Sequence, residues 1–488
     1  MHFAIVEPKF RTALLSKLKR ATSHLLTKQS FSSAFHYIFA TLNMENVWMR
    51  VLELWDSLNE DELVHDCPLI LDAHQYCNFQ LLDEGQQPLS KEAFAAMFNQ
   101  VDHLNTLRAT VASAGAVGED ICKNLGFESG SAEDSSVGCM LGVMAGDVLG
   151  CTVEGCSRQA ILEQFRHGEV RHFLVCRHMG DQGVDAGPRY GMYTDDSNST
   201  LAVASSLCRL KRLDVVDVAM TCAEFVVRKK PARFCPASAL SQATRLLDGS
   251  LTAYTAGRAL FPNGSFANGG AMRIAPVGVV FRNADARTLR EACRACCLST
   301  HNNSEAVDGA AIIAALVGHC MNLPKPCSTP MVPLNAQEIL DKCRAVCVTP
   351  AMQEVIEALA ISYHSLPADL STASITPQDL EQLSALNCLN FQIKAIEAVP
   401  LVVWAILRWA AHPEQCLINV VSLGGDADTT ASMAGAIIGA LYGCAWLPHR
   451  WYDNLEDARH VFVDCGKQLA CLSLGAGDII GLNEAVDS

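Results

Sequence analysis

An all-α fold is predicted for this chain by three observations. Apolar residues recur at three- and four-residue spacing over long runs, strand-like alternation is scarce, and the runs are rich in Ala and Gly. The runs are Val137 to Leu149, Asp196 to Leu210, Val215 to Val227, Ser304 to Met321, Ala395 to Ala411 and Thr430 to Trp446. Helices this apolar on most sides must be surrounded by other helices, and their small residues allow close axial approach. The expectation is a helical bundle with an additional helical region ahead of it.

With 488 residues the chain exceeds one ordinary core and suggests two units; 50% hydrophobic and 18% charged residues supply large buried cores. Residues 1–125 have a mostly helical pattern, as in Val47-Trp48-Val51-Leu52-Leu54-Trp55, and carry no catalytic motif. The polar stretch 126–136 (GFESGSAEDSS) is expected to be a linker, and residues 137–488 the second domain. Pro367 to Leu389, with its Ser, Thr and Pro, is expected to be an insertion or a loop with one short helix. Thr429 to Pro448 has no charge and nearly reaches membrane-spanning length. Its Gly and Ala content, directly after Asp426 and Asp428, instead suits a close-packed central helix. No membrane association is expected.

A net charge of -15 argues against general nucleic-acid binding, so an anionic ligand must be held by local donors or by metal. The 22 cysteines are scattered through helix-like runs, without paired zinc spacing and without a secretory signal at the N-terminus. Reduced, buried thiols in an intracellular, cytoplasmic protein are expected. Met1 to Ala40 contains six Lys/Arg and the single acid Glu7, which also fits a mitochondrial transit segment.

Four clusters interrupt the apolar runs. They are Gly146-Asp147-Val148-Leu149-Gly150 with Glu154 beyond it, Tyr193-Thr194-Asp195-Asp196-Ser197, Ala267-Asn268-Gly269-Gly270-Ala271-Met272-Arg273, and Gly424-Gly425-Asp426-Ala427-Asp428-Thr429. Adjacent carboxylates at a helix start are either N-caps or metal ligands. Two such pairs, each beside Thr and each opening a helix that must be buried, favour a shared cation, since uncompensated buried carboxylates are costly. Hard divalent ions with oxygen ligands fit, Mg²⁺ first and Mn²⁺ second. The Gly269-Gly270 turn is either a plain tight turn or a phosphate cradle with Arg273 adding charge. His301 is either a satisfied histidine at a helix start or a ligand contact.

In order, GDVLGCTVE, YTDDS, ANGGAMRIAPVG, STHNNSEAVDGA, IEAVPLVVWAIL and SLGGDADTTASMAGAIIGALYG resemble the successive motifs of the ADP-ribosylglycohydrolase family, over about Val137 to Leu447. The resemblance implies an all-α bundle with a two-magnesium centre at the bottom of a cleft. It places Thr194, Asp195 and Asp196 in one half of the metal site, and Asp426, Asp428 and Thr429 in the other. Glu154 matches a metal-associated, catalytically important acid, while Ala267 to Arg273 match a loop around the substrate diphosphate. His301 and Ile393 match further substrate contacts. The chain departs from the pattern at Ser197, at Ala427, and at Asn390-Phe391-Gln392, which replaces a Gly-rich turn and is expected to alter the wall of the adenosine or ribose pocket.

The implied activity is magnesium-dependent hydrolysis of the bond between ADP-ribose and an acceptor, an ADP-ribosylated protein or an ADP-ribose conjugate. Glu154, Asp195 or Asp196 would be the general acid or base. The alternatives are an ADP-ribose-binding module without turnover and a scaffold that recruits partners through its N-terminal helices.

Overall fold

The computed structural model describes residues 119–165, 168–171, 173, 191–227, 233–324, 334–366, 373–456 and 459–482. The expectations for residues 1–118 lie outside the described residues. From Val117 onward the chain forms one compact unit. It is all-α, as predicted: the only sheet among the described residues is a two-stranded parallel pair, Leu213–Asp214 beside Ile479–Ile480.

The body contains α1 (Glu119–Leu125), α2 (Ala132–Gly150), α3 (Asp195–Leu210), α4 (Val215–Val227), α5 (Ala286–Cys297), α6 (Ser304–Asn322), α7 (Ala395–Trp409), α8 (Ala427–Tyr442) and α9 (Arg459–Ala470). Six of these are the predicted runs. The run predicted for Thr430 to Trp446 begins earlier, at Ala427, and stops at Gly443, whose φ of 68° suits a helix end. Among the described residues of Pro367 to Leu389 there is one short helix, Pro377–Ala385, with a capping box between Thr376 and Asp379.

The centre of the fold is the contact between α2 and α8. Gly138, Gly142, Gly146 and Gly150 recur every fourth residue and so form one stripe along α2. A Cβ at Gly138, Gly142 or Gly146 would fall on the main chain of Gly443, Gly435 or Ala431, and one at Gly150 on the main chain of Asp428. Backbone therefore meets backbone along the whole seam, which carries the end of α2 to the start of α8. α6 is the one described helix long and apolar enough to cross a membrane, yet 83% of its most apolar window is buried inside the protein.

Most of the described cysteines are buried. Cys122 and Cys444 meet at Asp134, whose carboxylate accepts from the Cys122 thiol (3.1 Å), Cys444 N (2.8 Å) and Gly130 N (2.7 Å). Three donors account for this buried acid.

That knot corrects the linker expectation. The second half of residues 126–136 is the first turn of α2: Ser131 caps it, its hydroxyl accepting from Asp134 N at 3.1 Å, and Asp134 to Ser136 are buried. Ahead of it, α1 buries Ile121 and Cys122 in the main core. A chain starting at Gly126 should therefore melt roughly 5 °C below one starting at Val117, since burying an Ile side chain contributes about 1.5–3 kcal/mol. Equal melting temperatures would show that α1 adds nothing to this unit.

Candidate active site

Thr194 is the N-cap residue of α3, but its side chain makes no capping bond. Its hydroxyl donates instead to Asp147 Oδ1 (2.7 Å), and the same carboxylate accepts from Thr194 N (3.0 Å) and Ser197 N (3.0 Å). Burial pushes the Asp147 carboxyl up, while these donors pull it back. On the other side the Arg233 guanidinium lies 3.7 Å over the Tyr193 ring, donates to Tyr193 O (3.0 Å) and pairs with Glu456 (2.8 Å). Clamped in this way, the segment presents Asp195 and Asp196 in the first turn of α3, so neither is the N-cap.

Asp147 was absent from the expected ligands and catalytic groups. The signal for it was available: it is the only charged residue between Ser135 and Gly150, and a lone buried acid needs partners.

At the start of α8, Gly424 and Gly425, both with φ 79°, turn the chain so that Asp426 is the N-cap residue and Asp428 lies in the first turn. The Glu154 loop is tied to this turn by Gly155 N to Gly425 O and Gly425 N to Cys156 O, both 2.8 Å. Carboxylate oxygens of Glu154, Asp426 and Asp428 come within 4.8 Å of one another. Asp195 and Asp196 feel the charge of Asp426, and Asp428 that of Asp196, so the two aspartate pairs, far apart in sequence, lie close together.

The electrostatics follow from that crowding. Burial and then Asp147 push the Asp195 carboxyl up to about 8, with Glu154 and Asp426 adding to the effect. Asp196 and Asp428 are driven well above the usual carboxylate range, by burial first and neighbouring acids next. Asp426 is raised by burial and partly relieved by Asn268. No Arg or Lys is among the main influences on these four. Asp196 Oδ1 is buried and has no hydrogen-bond partner among the described residues. An all-oxygen cluster that is acid-rich and underpartnered fits a divalent cation.

A consequence for stability follows in the metal-free protein. The Asp195 carboxyl ionises near 3.8 when unfolded and near 8 when folded, so its contribution is full below about pH 4 and is lost as pH rises toward 8. Melts in EDTA should show a falling Tm between pH 5 and 8, and Mg²⁺ should reverse most of the loss at pH 8. A flat EDTA series would mean that the carboxylates are not crowded.

The expected substrate loop forms one helical turn, Gly269–Met272, and pairs with the 393–395 segment through Asn268 N to Ile393 O (2.8 Å) and Ala395 N to Phe266 O (3.0 Å). The Ala271 and Met272 amides both donate to Asn268 O, which leaves them unavailable to an anion. His301 lies under the turn: a Cβ at Gly269 would stand 2.8 Å from its ring. Burial and nearby Arg273 lower the imidazole to about 3, so it is neutral. Ile393 is exposed beside the loop.

Arg273 does not add charge to the cleft as expected. It is buried, donating to Cys296 O and Thr300 Oγ1 with the thiols of Cys222, Cys296 and Cys297 around it. The short turn before it sends its side chain into the core. In the Asn390-Phe391-Gln392 stretch Phe391 is exposed, whereas the Gln392 side chain is buried and accepts from Asp426 N.

Residues 128–478 match the family model for ADP-ribosylglycohydrolase. The chain belongs to the ADP-ribosylglycohydrolase family. Among similar proteins, ADP-ribosylhydrolase ARH3 of Mus musculus is 28% identical over 337 residues, 65% of this chain and 86% of that one. ADP-ribosyl-dinitrogen reductase glycohydrolase of Rhodospirillum rubrum is 24% identical over 329 residues, 67% and 92% of the two chains. A solved structure described as an ADP-ribosylglycohydrolase-related protein complex overlays with a TM-score of 0.50 at 22% identity, covering 70% of this chain and 99% of that one, a likeness of fold.

Proposed function

We propose that this ADP-ribosylglycohydrolase hydrolyses the glycosidic bond between ADP-ribose and its acceptor, a protein side chain or a related ADP-ribose conjugate, with Mg²⁺ as the working ion and Mn²⁺ as a substitute. The observation that carries this reading is the meeting of Asp195 and Asp196 with Asp426, Asp428 and Glu154, together with the unpartnered Asp196 Oδ1. Thr194, Asp195, Asp196, Asp426, Asp428, Thr429 and Glu154 are the residues that would hold the metal. Bound divalent ions there supply Lewis-acid stabilisation of oxygen charge and fix substrate hydroxyls and water.

The chain's own groups do the rest. Glu154 is only partly buried, unlike Asp426 and Asp428, and so can exchange a proton with solvent or an acceptor oxygen. Asp195, partly exposed like Glu154, is the second candidate for that role. Neutral His301 is unsuited to act as a cationic acid, and instead supports the turn that we assign to substrate contact, Ala267 to Met272. Ile393 adds an apolar contact next to it. Arg273 acts from behind by fixing the end of that turn to Cys296 and Thr300.

The test is release of ADP-ribose from defined serine-linked and arginine-linked ADP-ribosyl peptides, with Mg²⁺ or with EDTA. Release from one or both that stops in EDTA is expected. ADP-ribose binding without release from any conjugate would make the chain a binding module.

A further inference from the structure

Gln392 lies where three loops converge, and its side chain is 0% exposed. Its Oε1 accepts from Asp426 N (2.8 Å), and its Nε2 donates to Cys388 O (2.7 Å). Its main-chain carbonyl accepts from Asn268 Nδ2 (2.9 Å), and that same amide donates to Asp426 Oδ2 (2.6 Å). The result is a closed circuit: Gln392 holds the Asp426 backbone, and Asn268 ties the Asp426 carboxylate back to Gln392. A Cβ at Gly425 would overlap Gln392 Oε1, so this glycine is what lets the carboxamide reach the start of α8. The chain maintains this arrangement with Gln392 at φ 28°, a backbone region that favours glycine.

We propose that Gln392 is a positioning residue for the metal centre, acting through Asp426 and Asn268 rather than touching ion or substrate. The proposal rests on the metal-dependent reading above. A carboxylate that must share an ion with Glu154 and Asp428 needs a set orientation, and outer-shell hydrogen bonds provide it. Asp426 has one oxygen taken by Asn268 and its amide taken by Gln392, which leaves its side chain little freedom to turn away from its neighbours.

The test uses the full chain, with Mn²⁺ as the probe and free Mn²⁺ counted by electron paramagnetic resonance. Gln392→Met keeps side-chain length and removes both carboxamide bonds. Gln392→Gly removes the side chain and relieves the positive φ, so it guards against loss of folding. Each variant should stay folded by near-UV circular dichroism and bind Mn²⁺ about 10–100-fold more weakly than wild type, with kcat at saturating Mn²⁺ within a few-fold. A purely structural residue would lower Tm and leave the Mn²⁺ affinity of the folded protein unchanged. Wild-type affinity in both variants would overturn the proposal, as would failure of both to fold. Absence of Mn²⁺ binding by wild type is a separate result that would overturn the metal centre itself, and this inference with it.

Discussion

Replacing Asp428 by Ala should reduce turnover by on the order of 10³-fold or more, beyond the 10–100-fold typical of outer-shell partners, while the metal-free protein stays folded. Asp428 is buried, and its main influences after burial are Glu154, Asp196, Asp426 and Asp147, all acids. Removing it takes a buried acid out of a crowded cluster, so Tm in EDTA should hold or rise. The Mg²⁺-induced rise in Tm should shrink or disappear, because that rise measures preferential binding to the folded state. Turnover assays beside melts with and without Mg²⁺ check both halves. Unchanged activity would sink the assignment of Asp428 to the centre, and a large drop in Tm in EDTA would make it a packing residue.

Glu154→Gln should lower kcat by about 10²–10⁴-fold, the usual worth of a general acid or base, and change ADP-ribose affinity far less. Glu154 reaches within 4.8 Å of Asp426 and Asp428, yet it stands on a separate loop that is joined to the Gly424-Gly425 turn by main-chain bonds. The amide preserves size and hydrogen bonding, so the loop should keep its place. Titration calorimetry of ADP-ribose beside single-turnover hydrolysis separates the roles. Similar losses in both would make Glu154 a binding residue, and near-wild-type turnover would transfer the proton-exchange role to Asp195.

How much was legible in the sequence depended on the range of each interaction. The helices could be read because burial on most sides leaves a local signature, and α3, α4 and α6 begin within one residue of expectation. Asp195-Asp196 and Asp426/Asp428 could be picked out because each pair is compact in sequence and opens an apolar run. Asp147 stands in one of the four clusters but has no role assigned by the sequence, because its partners, Thr194 and Ser197, lie about 50 residues away. The linker was misplaced for the same reason, since the donors that justify a buried Asp134 include Cys444. Arg273 shows the limit of proximity as a guide: nearness to a glycine turn in sequence does not set the direction of a side chain, and here the thiols of α5 and α4 receive it.

The glycine stripe of α2 bears on the thermal behaviour of the centre. Asp147 governs the start of α3 from α2, and Asp428 belongs to α8, so the α2–α8 seam is the ruler between the two halves of the acid cluster. Side-chain contacts at helix crossings can hop among rotamers, and the helices then drift by fractions of an ångström. Main chain against main chain has no rotamers to exchange. The spacing between the halves should therefore hold as the protein warms, until the seam opens as a whole, and loss of metal binding on heating should be abrupt and coincide with unfolding.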